Sequence, residues 1–348
     1  MADLIEARPR AALPYLDARQ RAFDALRPLD ALAAHTVTAS DGVPLAAFEA
    51  GDPDAPTVLV VNALGVSAAF VAPLAARLAE RHHVILWESR GLPDGGGDAA
   101  DLSLARHAQD AADVLAALGG ADGRANGRAN GHANGHADGR ADGRADGHVA
   151  AIVAYCSGAN IAAYALDARL LAAERLVIVS PSMEVAGVTE RTLYQKSVLP
   201  LWQRIADGGA SYAGLVRVLL NQARRVDDGS LDYQLATLNR LPFGDDASIC
   251  RYAAMQAACL REDWAARLAR LALPALVLHG ARDDVIHAAT SRGVADALAG
   301  ATLETIDDAG HFGVYTSRAL QDRVAAFLND GGSGRAAPQA NDKSDKEH

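Results

Sequence analysis

The stretch VAYCSGANIA (153–162) places a thiol and a hydroxyl side by side, at Cys156 and Ser157, where an apolar run gives way to small residues. Either group could attack an acyl carbon. A nucleophile raised on a strand-to-helix elbow needs small residues two positions before and two after it, or their side chains strike the neighbouring strand and helix. With Cys156 at the tip, those positions are Ala154 and Gly158. With Ser157 at the tip they are Tyr155 and Ala159, and Tyr155 collides. The register therefore favours Cys156, with A-Y-C-S-G where such turns carry G-x-S-x-G. A helix starting near Ser157 would aim its N-terminal partial positive charge at the sulfur and favour the thiolate. The bland alternative is that Cys156 is a small buried apolar residue.

A nucleophile of this kind needs a base, and the base needs a carboxylate to orient it. LVLHGARDDVIH presents Asp283 and Asp284 at the end of a strand, and IDDAGHFGVY presents His311 in a turn of small residues after the next one. The order nucleophile, acid, histidine is that of the G-x-S-x-G hydrolases. Of eleven histidines, only His311 follows a late strand in this way. His279 lies inside a strand, and His287 is the nearest competitor. Asp283 is the favoured acid. Adjacent Asp284 should point the other way, and Glu184, after the strand that ends near Pro181, is a rival. The backbone N–H of Ser157 and that of Leu64, in NALG (62–65), are the expected oxyanion donors, with Asn62 shaping the turn.

These groups need a scaffold whose strand ends converge. HTVTA (35–39) and PLAAFEA (44–50), joined by SDG, read as a hairpin. TVLVVNA (57–63), HVILWES (83–89), VAAIVAYC (149–156), RLVIVSP (175–181) and ALVLHGA (275–281) are nearly continuous apolar runs, as buried parallel strands are. Helical patterns such as VAPLAARLAERH (71–82) and RHAQDAADVLAAL (106–118) separate them. The expected fold is α/β, a mostly parallel sheet covered by helices. The core covers 35–182 and 264–328, and 1–34 form a helical lead-in. Residues 183–263 hold helical patterns and no convincing strand, so they read as an inserted cap. Trp202, Tyr212 and Tyr233 are its candidate pocket liners, or else its own core.

Residues 121–148 are seven tandem tetrapeptides of the form A-[DN]-G-[RH]. They carry no large apolar residue, so they have nothing to set against the entropy of ordering. A disordered insert is the expectation, in preference to a metal tract at His132, His136 and His148. The array enters a strand at its N-terminal end, whereas ligands of such sheets sit beyond the carboxyl ends. The tail 329–348 also reads as disordered.

The chain has 348 residues, half of them hydrophobic, and a net charge of −10, with no basic stripe that would suit nucleic acid. Three cysteines, Cys156, Cys250 and Cys259, are too few for a disulfide framework and form no CxxC metal pair. The opening MADLIEARPR lacks the apolar core of a secretory signal. No apolar run of about 18 residues would span a membrane. No cofactor, metal or membrane partner is expected, and a reducing cytoplasm fits a free thiol.

Taken together, these motifs resemble the α/β-hydrolase superfamily over about 35–118 and 148–328. VVNALG stands at the oxyanion motif, with Asn62-Ala63 for the usual His-Gly. LWESRG (86–91) is similar to the D-x-R-G turn, with Glu88 in the Asp position. AYCSGA is the elbow, GARDDVI the acid loop and GHF the histidine loop. Cysteine in place of serine resembles dienelactone hydrolases and polyester synthases of the superfamily. The combination is loosely similar to stand-alone hydrolases that accompany nonribosomal-peptide and polyketide assembly lines.

The resemblance implies acyl chemistry through a Cys-His-Asp triad. An acyl group on Cys156 is itself a thioester, so taking it from a carrier thioester is nearly isoenergetic. The leading expectation is a thioesterase or acyltransferase acting on a small-molecule or carrier-bound acyl substrate. A small-ester or lactone hydrolase is the alternative, and a non-catalytic ligand-binding member of the fold is a third. The acyl group, the acceptor and the oligomeric state are not legible from the sequence.

Overall fold

Short runs of Val, Leu and Ile bounded by turn residues form the strands, because side chains apolar on both faces bury fully only between two helical layers. The computed structural model describes residues 32–92, 101–119, 147–221, 238 and 243–330. The lead-in through residue 31, nearly all of the tetrapeptide array and the tail from 331 lie outside the described residues. The strands are β1 (Ala33–Thr38), β2 (Pro44–Ala50), β3 (Thr57–Val61), β4 (His83–Trp87), β5 (His148–Tyr155), β6 (Ala172–Val179), β7 (Ala275–Gly280) and β8 (Thr302–Ile306). They form one eight-stranded sheet in the order β1-β2-β4-β3-β5-β6-β7-β8. β1 and β2 are the expected hairpin, β2 pairs antiparallel with β4, and all other neighbours are parallel. β1 starts two residues before the expected hairpin, so Ala33 and Ala34 belong to the sheet. β3 and β4 each end two residues short of the apolar runs, which continue into the loops.

Successive side chains of a strand point to opposite faces, and the core divides accordingly. Leu59, Ile85, Ile152 and Val277 face one helical layer. That layer contains α2 (Leu104–Leu118), α3 (Gly158–Asp167), α7 (Trp264–Leu268) and α8 (Ala288–Ala297). Val58, Val84, Val153 and Leu276 face the other layer. It contains α1 (Ala72–Leu78) and α10 (Arg318–Asn329), with the short α9 (Gly313–Thr316) before it.

Between β6 and β7 stand α4 (Leu193–Ala206), α5 (Ser211–Asn221) and α6 (Asp246–Leu260). They share an apolar cluster of their own, built on Trp202, Ile205, Val216, Phe243 and Ile249. Thr192 caps α4 and also donates from Oγ1 to the Val285 carbonyl at 2.9 Å, while His287 N–H donates to Gln195 Oε1 at 3.2 Å. The first turn of α4 is thereby tied to the loop after β7. Among the described residues, no helix is long and apolar enough to cross a membrane.

Candidate active site

β5 ends at Tyr155 and α3 begins at Gly158, so Cys156 and Ser157 alone turn the chain. Cys156 has a φ of 52°, in the left-handed region that costs a non-glycine residue about 1–3 kcal/mol. The surroundings hold it there. Its N–H donates to the Val179 carbonyl of β6 at 2.9 Å, and its carbonyl accepts from the Ser182 N–H at 3.2 Å. A side chain at position 158 could not fit: a Cβ on Gly158 would lie 2.3 Å from the Val61 carbonyl oxygen and 2.5 Å from that of Asn62. Tyr155 is buried, and its hydroxyl donates to the His311 carbonyl at 3.1 Å. The other two cysteines lie in α6, where burial pushes both thiols up and disfavours their thiolates.

The loops after β7 and β8 bring a carboxylate and an imidazole to the same edge of the sheet. His311 Nδ1 lies 3.0 Å from Asp283 Oδ2. The other carboxylate oxygen, Oδ1, accepts from the N–H groups of Val285 at 2.9 Å and Ile286 at 2.8 Å. Burial alone would raise the Asp283 pKa, but its hydrogen bond to His311 and the Ile286 N–H outweigh it and hold the carboxyl below its ordinary value. Burial likewise opposes charge on His311. The negative charge of Cys156 and the hydrogen bond to Asp283 prevail, and the ring is raised from 6.5 to about 10. With Nδ1 taken by Asp283, Nε2 is the nitrogen free for Cys156.

The rivals lie elsewhere. Asp284 is exposed. Glu184 pairs with Arg191 at 2.5 Å. His279 is buried, with Nδ1 3.0 Å from Ser291 Oγ. His287 caps α8, accepting from Ala289 N–H at 3.2 Å.

The loop after β3 approaches the elbow from the neighbouring strand. Asn62 shapes its turn, donating from Nδ2 to the carbonyls of Val66 at 2.8 Å and Ser67 at 2.7 Å. The Ser157 N–H meets no acceptor among the described residues. The Leu64 N–H departs from the expectation: it donates to Ser157 Oγ at 2.9 Å.

Two tyrosines of the segment between β6 and β7 reach the site, and neither was among the liners expected from sequence. Tyr194, at the start of α4, is 42% exposed, and desolvation followed by the charge of Cys156 pushes its phenol up to about 12. A Cβ on Gly65, at φ 66°, would lie 2.6 Å from the Tyr252 ring, so α6 rests on the loop after β3. Trp202 is instead buried against Phe243 and Tyr252. Tyr212 lies beneath the Arg204 guanidinium, 4.3 Å from its ring centroid. Tyr233 lies outside the described residues. The available signal was spacing: Tyr252 and Met255 share one face of α6 at i, i+3, and Met255 also reaches Gly65 and Gly91.

LWESRG links the end of β4 to the loop after β3 and to α6. Glu88 is buried and accepts from the Ala68 N–H at 3.0 Å. Arg90 is fully buried and makes a two-point contact with Asp110, both bonds at 2.6 Å. The Gly91 carbonyl accepts from Arg251 of α6 at 2.9 Å. Among the described residues, no cluster of His, Cys, Asp and Glu could hold a metal ion. His132 and His136 lie outside them.

Sheet order, elbow and converging loops define the class of protein. Residues 58–326 match the alpha/beta hydrolase family, and the chain belongs to it. It is therefore an α/β-fold hydrolase. No curated protein matches it in sequence. Its backbone is similar to that of a hydrolase from Pseudomonas aeruginosa, with 21% identity, a TM-score of 0.60, and 85% of this chain and 98% of that one covered. It is similar to the carboxylesterase CesB from Bacillus subtilis, at 15% identity and a TM-score of 0.58 over 93% and 100% of the two chains. It is also similar to the esterase RhEst1 from a Rhodococcus species, at 16% identity and a TM-score of 0.59 over 86% and 99%. At these identities the likeness is one of fold.

Proposed function

We propose that this hydrolase is a cysteine-dependent thioesterase or acyltransferase working through Cys156, His311 and Asp283. One observation carries the reading: the strained elbow presents a thiol, not a hydroxyl, beside an imidazole that is itself anchored on a buried carboxylate. The Cys156 thiolate attacks the acyl carbon. The C–S bond forms as the carbonyl π pair moves to oxygen. When that pair returns, the leaving thiol or alcohol departs with the proton of His311. Water, an amine or an alcohol then gives its proton to His311 and attacks the acyl-Cys156 thioester. The C–S bond breaks, the acyl product leaves, and Cys156 returns as the thiolate beside protonated His311. Asp283 holds the ring in the required tautomer throughout. The substrate is a small-molecule or carrier-bound acyl group. The three cysteines are all free, which suits a reducing compartment such as the cytoplasm.

A small-ester or lactone hydrolase with the same triad is the second reading, favoured by the esterases among the similar structures. A non-catalytic binder would have no use for a strained thiol opposite a paired imidazole. A panel of acyl thioesters and matching esters tests the assignment. The parent is expected to release a burst of thiol equal to the enzyme present and to turn over thioesters faster than esters. Cys156→Ala is expected to abolish both. A Cys156→Ala protein that still turns over removes the assignment, and faster ester cleavage selects the second reading.

A further inference from the structure

We infer that the side chain of Ser157, and not only its backbone, belongs to the oxyanion hole, its hydroxyl passing the pull of the Leu64 N–H on to the acyl oxygen. The inference rests on Cys156 being the nucleophile. A backbone N–H has one proton, and that of Leu64 is spent on Ser157 Oγ at 2.9 Å. Both residues are buried, at 1% and 2% exposure, so water does not compete for the contact.

Neither partner is free to move away. Asn62 pins the loop through the Val66 and Ser67 carbonyls, and Gly65 lies under Tyr252. Asn160 Nδ2 donates to the Ser157 carbonyl at 3.1 Å, and Gly158 is wedged under two carbonyls of the β3 strand and loop. The hydroxyl accepts from Leu64 and keeps its own proton, for which no described residue is an acceptor. A buried hydroxyl proton without an acceptor is unfavourable. An O–H that already accepts from an N–H is also polarised into a better donor. Ser157 adjoins the nucleophile, so an acyl oxygen beside its N–H is the acceptor the site lacks.

In the step this implies, Cys156 Sγ bonds to the acyl carbon and the π pair moves to oxygen. The Ser157 O–H and N–H donate hydrogen bonds to that oxygen without releasing a proton. When the pair returns, the leaving group departs with the proton of His311, and Ser157 is unchanged.

Ser157→Ala tests this, with p-nitrophenyl acetate as probe and the acetyl label located by peptide mass spectrometry. Acetylation of Cys156 and kcat are expected to fall by roughly 10²–10³-fold, the usual cost of one oxyanion donor, with KM little changed. Iodoacetamide gives the control, because it alkylates Cys156 at a saturated carbon and no oxyanion forms. Its rate is expected to match the parent's, showing elbow and thiolate intact. Ser157→Thr keeps a hydroxyl and is expected to restore most of the acetylation rate. An alanine variant that acetylates as fast as the parent overturns the inference. So does a faster one, because Oγ would then be blocking the Leu64 N–H. Loss of iodoacetamide reactivity in Ser157→Ala overturns it too, the defect then being one of the elbow. An acetyl label away from Cys156 in the parent removes the nucleophile assignment itself.

Discussion

At the scale of single residues, the proposed triad rests on charge compensation in a place poor in water. His311 is 7% exposed and would be neutral if burial alone acted. The negative charge of Cys156 and the hydrogen bond to Asp283 raise its pKa to about 10. Cys156→Ser removes the charge and keeps the shape. The His311 titration followed by NMR is therefore expected to fall from near 10 toward its ordinary value. A ring that titrates alike in both proteins would mean that Cys156 does not face it. The stability linkage has a definite sign. A folded-state pKa above the unfolded one means the bound proton stabilises the fold fully below about pH 6.5, and that contribution is lost as pH rises through about 10. The parent's advantage over His311→Gln in thermal unfolding is thus expected at pH 6 and should vanish above pH 10. Iodoacetamide alkylation at neutral pH separates the three carboxylates. His311→Ala should slow it most, because the thiolate loses its counter-charge. Asp283→Asn should slow it less, since the imidazole remains in a poorer tautomer. Exposed Asp284 and Arg191-paired Glu184 should show no effect when made Asn and Gln, and a slowed rate in either would name a different acid.

At the scale of elements, the elbow depends on how closely α3 approaches β3. A Cβ on Gly158 would press on two backbone carbonyls, at 2.3 Å and 2.5 Å, that belong to the sheet and its loop. Gly158→Ala is expected to cost about 3 kcal/mol, read as a fall in melting temperature of roughly 10 °C, and to displace Cys156. Gly214, inside α5, has only the Asp246 carboxylate at 3.5 Å and beyond. There Gly→Ala is expected to stabilise by about 0.5–1 kcal/mol. If the two variants shift the melting temperature alike, the elbow is not wedged as described. The small-residue rule that selected Cys156 over Ser157 in the sequence is this same collision seen from the chain alone. The sheet was legible for a related reason, since a strand buried on both faces cannot disguise its apolar run. The roles of the aromatics between β6 and β7 were not legible. An aromatic inside a helical segment can serve that segment's own core, as Trp202 does, or face outward, as Tyr194 does, and only the docking of α4 decides. Tyr194→Leu is accordingly expected to reorder acyl substrates with little change in melting temperature, and Trp202→Leu to lower the melting temperature while leaving the order intact. The reverse pattern would move the acyl cleft away from α4.

At the scale of the whole molecule, the proposed triad sits at one edge of the sheet and the tetrapeptide array attaches at the other. Cys156, Asp283 and His311 follow the carboxyl ends of β5, β7 and β8, whereas the tetrapeptide array joins the end of α2 at Leu118 to the start of β5 at His148. The eight residues of β5 lie between the array and Cys156. At about 3.3 Å per residue they separate the two by roughly 25 Å. Both points of attachment are secured by the fold itself: the Gly119 N–H donates to the Leu115 carbonyl at 2.7 Å, and the Gly147 carbonyl accepts from the Ala172 N–H at 3.1 Å. Removing residues 125–144, five of the seven units, leaves both attachments in place and shortens the connection roughly threefold. Loop-closure entropy then favours the shortened chain by about 1 kcal/mol, a rise in melting temperature of roughly 2–4 °C. The rates of Cys156 acylation and alkylation are expected to stay at the parent's values, with or without added zinc. A fall in melting temperature would mean that the array packs against the fold. A lower acylation rate at unchanged stability would mean that it reaches the site from the far edge of the sheet, and a zinc-dependent rate in the parent alone would give the histidines of the array a role that their composition does not predict.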